Sequence, residues 1–371
     1  MRILAVDAGT GTQDILLFDS SLPPESSLKL IMPSATQIAA GRIRQATGEG
    51  RAVVLTGVTM GGGPCHRALA GHLEAGLKAY ATPDAARTFD DDLDVVQGMG
   101  VTVVSEDEAK RLGDARPIEM ADLDLDAIRR ALAAFEVDSA FDGLALACLD
   151  HGAAPAGYSD RLFRFEHLRR VVEGRNDLRA FAYLPDELPA YLTRARAMLS
   201  CVDTDVPLVL LDTGPAAALG ALQDAVVAQQ DEQLVINLGN MHALGFHLRG
   251  THVYSLFEHH TNLLSAQEIE SLSEGLVAGT LRHEDVFGSH GHGALYAAGD
   301  RPSNPHPFVA VTGPQRAKLR ASALNPYFAV PHGDMMLSGC FGLVWAFAEK
   351  HPQHRQEILA RLLPSATSGG S

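Results

Sequence analysis

An aspartate ends the first apolar run of the sequence and is followed by small and hydroxylated residues: Asp7, Ala8, Gly9, Thr10, Gly11, Thr12, Gln13 and Asp14. Glycines at this spacing let the backbone bend so that successive N–H groups aim at one anion. The hydroxyls of Thr10 and Thr12 add donors, and Asp7 at a strand end can hold Mg²⁺ through water. Such a loop suits the cradling of a phosphate. The alternative is a plain β-hairpin with a glycine turn, although hairpin turns seldom place a carboxylate directly before the loop. No GK[ST] follows, so the loop is not a Walker A, and a strand follows where a Rossmann fingerprint needs a helix.

Two further carboxylates end apolar runs. Asp150 stands in Asp150-His151-Gly152 after residues 143–148, and Asp212 follows residues 208–211. Ligands of open α/β sheets bind beyond strand ends, so either carboxylate is a candidate catalytic base, with Asp150 favoured for its neighbour His151. For Asp212, satisfying free N–H groups at a helix start is an equal reading. Of the 16 histidines, His259 and His260 follow Glu258, while His290 and His292 have a spacing that aims both rings one way in an extended chain. These four are candidate ligands of a transition metal such as zinc or iron; hydrogen-bonding loop histidines that shape a substrate pocket are the alternative. Residues 59–64 (TMGGGP) either admit a substrate close to the backbone or form a tight bend. Arg316 is an isolated cation for an anionic substrate, or a surface arginine.

These residues resemble the actin-like ATPase superfamily, to which sugar kinases, acetate kinase and actin belong. The similarity rests on residues 7–14 for a first phosphate loop, 237–243 (NLGNMHA) for a second, and 337–341 (LSGCF) for a glycine turn on the adenosine side, in order along nearly the whole chain. It implies a duplicated, two-lobe α/β fold of the ribonuclease H-like kind, with ATP and Mg²⁺ in the cleft between the lobes. Gly9, Thr10, Gly11 and Thr12 would meet the phosphates from one side, Asn237, Gly239, Asn240 and Met241 from the other, and Gly339 would lie near the adenosine. Asp7, with Asp150 or Asp212, would then serve phosphoryl transfer to a small molecule, or hydrolysis. Asn237 stands where the superfamily usually has Asp and cannot supply the same charge to Mg²⁺. That departure favours a rival of another class, a binding or metal-dependent protein that keeps the fold but uses its histidines.

A narrower resemblance is to a family labelled "pyruvate formate-lyase activating enzyme-related", carried by DAGTGTQD, TMGGGP, LDHG, NLGNMHALGF, FEHH, GHGA, TGPQR and PHGDMMLSGCFG. The label implies radical chemistry at an iron–sulfur cluster held by CxxxCxxC. Cys65, Cys148, Cys201 and Cys340 have no such spacing, so only the fold is retained from it.

Apolar periodicity supplies the elements that must position these residues. Residues 1–19 read as strand, turn and strand, 28–32 as a third strand, 36–47 as a helix, and 52–56 as a buried fourth strand. An amphipathic helix over 125–135 and buried strands at 143–148 and 208–211 continue an α/β layer. After a polar joint at 229–233 the opening pattern returns, with strands at 234–238, 243–248 and 253–257 and a helix over 266–277 capped by Ser265 and Glu268. A strand at 309–312 and a buried helix over 335–349 follow. The expected domains are a first lobe over 1–228, a second over 229–364 and a flexible tail over 365–371. Both hairpin loops should face one cleft.

The 371 residues, 46% hydrophobic and 20% charged, suit two or three domains and exclude bulk disorder. The formal charge of −15 and the lack of a Lys/Arg run longer than two speak against nucleic acid as a partner. Arg2 and Asp7 interrupt the first apolar run too early for a signal peptide, and no run approaches the length of a membrane span, so a cytoplasmic protein acting on a small molecule is expected.

Overall fold

The computed structural model describes residues 1–299, 302 and 304–363; the tail expected over 365–371 lies outside the described residues. β1 (Arg2–Ala8) and β2 (Thr12–Asp19) pair antiparallel with Asp7 opposite Asp14, and β3 (Leu28–Pro33) adds to β2. The chain then leaves this sheet. β4 (Val53–Gly57), β5 (Ala79–Ala81), β6 (Val101–Val103) and β7 (Arg116–Met120) form a separate parallel sheet in the order β6-β5-β4-β7. It returns through helix Leu125–Ala133 to β8 (Gly143–Cys148), β9 (Ala182–Tyr183) and β10 (Leu208–Leu211).

Residues 36–47 and 52–56 are the expected helix and strand, and they belong to this separate sheet and not to that of β1 to β3. Helix Ala35–Gly48 packs Ala39, Ala40 and Ile43 on Val53, Leu55 and Ile118, in a core of its own. A parallel strand covered on both faces is apolar throughout in whichever sheet it lies, so its sequence does not say which neighbours it has. On one face of the main sheet lies helix Leu125–Ala133, with Leu125, Ile128 and Leu132 in one core with Leu4, Val6 and Leu144.

In the second half, β11 (Gln233–Leu238), β12 (His242–Arg249), β13 (His252–His260), β14 (Gly293–Tyr296), β15 (Phe308–Thr312) and β16 (Tyr327–Phe328) make another sheet. Its order, β14-β13-β12-β11-β15-β16, repeats the first, β3-β2-β1-β8-β10-β9. In both, a three-stranded antiparallel meander leads with a strand that pairs in parallel on its other side, β1 with β8 and β11 with β15. The fold is the expected duplicated, two-lobe actin-like α/β fold. Among the described residues no helix is long and apolar enough to cross a membrane.

Helices Thr213–Ala221 and Ser338–Lys350 cross between the two sheets and share one apolar core with both. Their backbones touch. A Cβ on Gly220 would lie 1.8 Å from the Ser338 carbonyl oxygen, and one on Gly342 1.9 Å from that of Ala216. Neither neighbour is a flexible side-chain tip, so Gly220→Ala is expected to force the helices apart at a cost of about 3 kcal/mol. Gly41→Ala, where nothing lies within 4 Å of the added carbon, should be neutral or stabilising. Urea unfolding of the two variants measures the contrast.

Candidate active site

The turns after β1 and β11 oppose each other across a cleft. Asp7, Gly9, Thr10 and Thr12 line one side, and Asn237, Gly239, Asn240 and Met241 the other. Gly11 abuts the second turn so closely that a Cβ there would stand 2.2 Å from Asn240 Nδ2. The carbonyls of the first turn are taken by Ser34, the N-cap of helix Ala35–Gly48: its N–H donates to Gly11 O (3.2 Å) and its Oγ to Thr10 O (2.7 Å). In the second turn Met241 O accepts from the Thr261 N–H at 2.8 Å. Among the described residues, the N–H groups of Thr10, Gly11, Asn240 and Met241 donate to no protein acceptor. Of these, Thr10, Asn240 and Met241 line the cleft, and Gly11 packs against Asn240 behind it; backbone donors of two turns around one cleft are the pattern that binds anions.

Below them lies a buried pair of carboxylates. Asp7 Oδ1 accepts from Thr213 Oγ1 at 2.9 Å, at the start of the first crossing helix. A Cβ on Gly339 would stand 2.0 Å from Asp7 Oδ2, so Gly339 admits this carboxylate to the start of the second crossing helix. That places Gly339 beside Asp7, at the floor of the cleft, where the sequence had suggested the adenosine end. Burial, then the charge of Asp14, pushes Asp7 up to about 8, and burial pushes Asp14 up to about 7. Asp14 Oδ1 is buried without a hydrogen-bond partner among the described residues. The nearest guanidinium, Arg194, is engaged with Asp122 (Nε to Oδ2, 2.7 Å) and with the carbonyls of Leu149 and Ala8. Crowded, under-bonded carboxylate oxygens beneath an anion cradle fit a hard divalent cation such as Mg²⁺.

These shifts carry a sign for stability. Both acids hold protons in the folded state above the pH at which they lose them in the unfolded chain. Their contribution is therefore full below about pH 4 and is lost as pH rises through about 7 to 8. Melting temperature should fall between about pH 5 and pH 9, and Asp14→Asn should flatten the fall, as followed by scanning calorimetry.

Asp150 and Asp212 are committed elsewhere. Asp150 accepts from the N–H groups of Gly152 (2.8 Å) and Ala195 (2.9 Å). Asp212 accepts from the Gly214 N–H (3.1 Å) and pairs with both terminal nitrogens of Arg164. Arg164 is fully buried and also donates from Nε to Glu258 Oε2 at 3.1 Å. Both oxygens of each aspartate thus accept at least one hydrogen bond, from the backbone that follows the strand or from Arg164. Asp150 also lines the second cavity beside the cleft.

The histidines regroup as well. His259 is held by Ser289 O (3.1 Å) and by the His260 N–H (2.7 Å), and His290 is exposed with φ of 70°. That left-handed residue breaks the extended spacing that would have aligned His290 with His292. Pairing of β12 with β13 sets His242 opposite His260. The rings that converge are His151, His242 and His292, whose ligand atoms lie within 4.8 Å of one another, with the ring of His260 4.7 Å from that of His292. Burial pushes His151 well below the usual imidazole range, His292 down to about 3 and His260 to about 4. His242 holds, in the second turn, the place that Thr12 holds in the first, and His151 follows Asp150; these were the available signals.

A second cavity of about 2130 Å³ opens beside the cleft and is lined by Thr10, Gly62, Asp150, His151, His242 and His260 among others. The glycine run at 61–63 serves close approach there, since a Cβ on Gly61 would lie 2.7 Å from Arg194. Arg316 donates to Gly313 O at 3.3 Å and secures that turn.

The sequence model of the family described as "Putative pyruvate format-lyase activating enzyme (DUF1786)" matches residues 60–318. No curated protein sequence matches the chain. Similar solved structures include a "putative N-acetylmannosamine kinase" from Listeria monocytogenes, 8% identical, covering 95% of this chain and 100% of that one with a TM-score of 0.34. The ethanolamine utilization protein EutJ from Carboxydothermus hydrogenoformans is 11% identical over 94% and 89% of the two chains, with a TM-score of 0.29. The Aquifex aeolicus member of the Ppx/GppA family is 10% identical over 98% and 86%, with a TM-score of 0.30.

Proposed function

We propose that this chain, which belongs to the family described as "Putative pyruvate format-lyase activating enzyme (DUF1786)", binds ATP with Mg²⁺ between residues 7–12 and 237–241 and transfers or hydrolyses its terminal phosphate. The observation that carries this reading is the pair of opposed turns with unpaired N–H groups above the buried Asp7 and Asp14. The N–H groups of Thr10, Gly11, Asn240 and Met241 would receive phosphate oxygens, and they are already fixed by Ser34 and Thr261, so little reorganisation accompanies charge development. Asp7 and Asp14 would hold Mg²⁺, which when bound neutralises charge on the phosphates. Asn237, buried opposite, orients through its amide without adding charge. The second cavity, continuous with the cleft through Thr10, Arg194, Met241 and His242, is the place for a small polar acceptor. ATP as co-substrate accords with a cytoplasmic protein.

The activating-enzyme chemistry in the family's description is not adopted for this chain. Cys65, Cys148 and Cys340 are buried and Cys201 half-buried, and burial raises the Cys65 thiol to about 11. Inert, separated thiols of this kind do not hold a cluster.

A thermal-shift screen tests the proposal. ATP or ADP with Mg²⁺ should raise the melting temperature, by an amount set by RT ln(1 + [L]/Kd), and either without Mg²⁺ should do so less. No shift at millimolar nucleotide, with or without Mg²⁺, would remove the reading.

A further inference from the structure

Beside the phosphate cleft, and independent of the nucleotide reading, lies a cluster of four imidazoles that the two lobes build jointly. His151 comes from the loop after β8 in the first lobe; His242 begins β12 and His292 precedes β14 in the second. Nε2 of His151 and Nε2 of His292 are 3.3 Å apart, with the rings nearly parallel at 5°. Two nitrogen ligands of one tetrahedral ion, at bonds of about 2.0–2.1 Å, stand roughly 3.3–3.4 Å from each other. His242 Nδ1 lies 3.0 Å from Glu258 Oε1, a contact in which Nδ1–H donates and the Nε2 lone pair is left for a ligand. Glu258 is itself held by Arg164, so the carboxylate behind the imidazole is fixed, as in carboxylate–histidine–metal arrangements.

Hydrogen bonding alone does not complete the cluster. His292 is fully buried; its Nδ1 has no partner among the described residues, and its Nε2 meets only another imidazole. Whichever nitrogen carries the proton, one buried polar atom stays bare among the described residues, at the desolvation cost of an unmade hydrogen bond.

We infer that His151, His242 and His292 form a three-histidine site for one divalent transition-metal ion of the zinc class, which ties the two lobes together beside the phosphate turns. Neutral nitrogen donors without thiolate or first-rank carboxylate select zinc and its neighbours over Mg²⁺ or Ca²⁺. Three protein ligands leave a fourth position, and the cavity that His151, His242 and His260 line would offer it to water or to an oxygen of a small substrate. His242 also lines the phosphate cleft, so the ion would stand between the two cavities.

Metal content tests this without reference to turnover. Full-length protein prepared without a histidine tag is incubated with zinc chloride, desalted and analysed by mass spectrometry of the metal. The expected result is close to one zinc per chain, with a raised melting temperature. His151→Ala and His292→Gln should each lower the zinc retained at least tenfold, whereas His259→Ala and His290→Ala should retain it. Near-UV circular dichroism monitors the fold; if the buried His292→Gln does not fold, the half-buried His151→Ala decides alone. Less than about a tenth of an equivalent in the zinc-loaded wild type, or full zinc in a folded His151→Ala protein, overturns the inference. Nucleotide binding with no zinc leaves the proposed function standing and removes the metal site; zinc without nucleotide binding does the reverse.

Discussion

Asp7→Ala should weaken binding of ATP·Mg²⁺ by at least about 100-fold, equivalent to ~2.7 kcal/mol, while the protein stays folded. The magnitude follows from what the carboxylate does. Asp7 sits at the floor of the cleft between the starts of the two crossing helices, and with Asp14 it is the negative charge that a phosphate-bound cation would meet. Its loss removes a charged ligand from a buried place, where such contacts are strongest. The fold should tolerate the change, because the ionised form of this acid works against the native state at neutral to alkaline pH. Calorimetric titration of the folded variant measures the effect, and an unchanged affinity would show that the phosphates do not depend on Asp7.

Arg164→Ala should cost about 3–5 kcal/mol of stability, the largest loss expected from any single side chain here. The guanidinium is fully buried, pairs with Asp212 in the first lobe and reaches Glu258 on β13 of the second. Burial alone would push Glu258 up, yet the charge of Arg164 beside it holds its carboxyl well below the usual range. Truncation would leave two buried carboxylates without their counter-ion at the joint between the lobes. Chemical denaturation compares the variant with wild type, and a loss below about 1 kcal/mol would mean that water or a rearranged Lys or Arg replaces the pair.

How much of this was legible beforehand differs by element. The two hairpins could be read because a carboxylate or amide, a glycine turn and flanking apolar strands recur within a few residues at 7–14 and 237–243, and local spacing reports local structure. The separate sheet of β4 to β7 could not, since Val53 to Leu55 would look the same buried in either sheet. Arg164 and Arg194 carry no sequence signal for a related reason. Each stands on a helix with no notable local pattern and gains its meaning from partners 48, 94 or 72 positions away. The histidine group was half found. His292 and His260 were singled out, but strand pairing brought His242 to them and lobe packing brought His151, while the left-handed turn at His290 sent that ring elsewhere. For Asp150 and Asp212 the strand-end position could be read, whereas the N–H groups of the following backbone and the Arg164 guanidinium that bond them come from the tertiary fold.

The claim at the centre of this account is that nucleotide phosphates lie between the two turns. A crystal structure with a non-hydrolysable ATP analogue and Mg²⁺ measures that most directly. Phosphate oxygens are expected about 2.7–3.2 Å from the N–H groups of Thr10, Gly11, Asn240 and Met241, with the cation beside Asp7. A nucleotide seated outside the interlobe cleft, or a cleft without nucleotide density at saturating analogue, would contradict it.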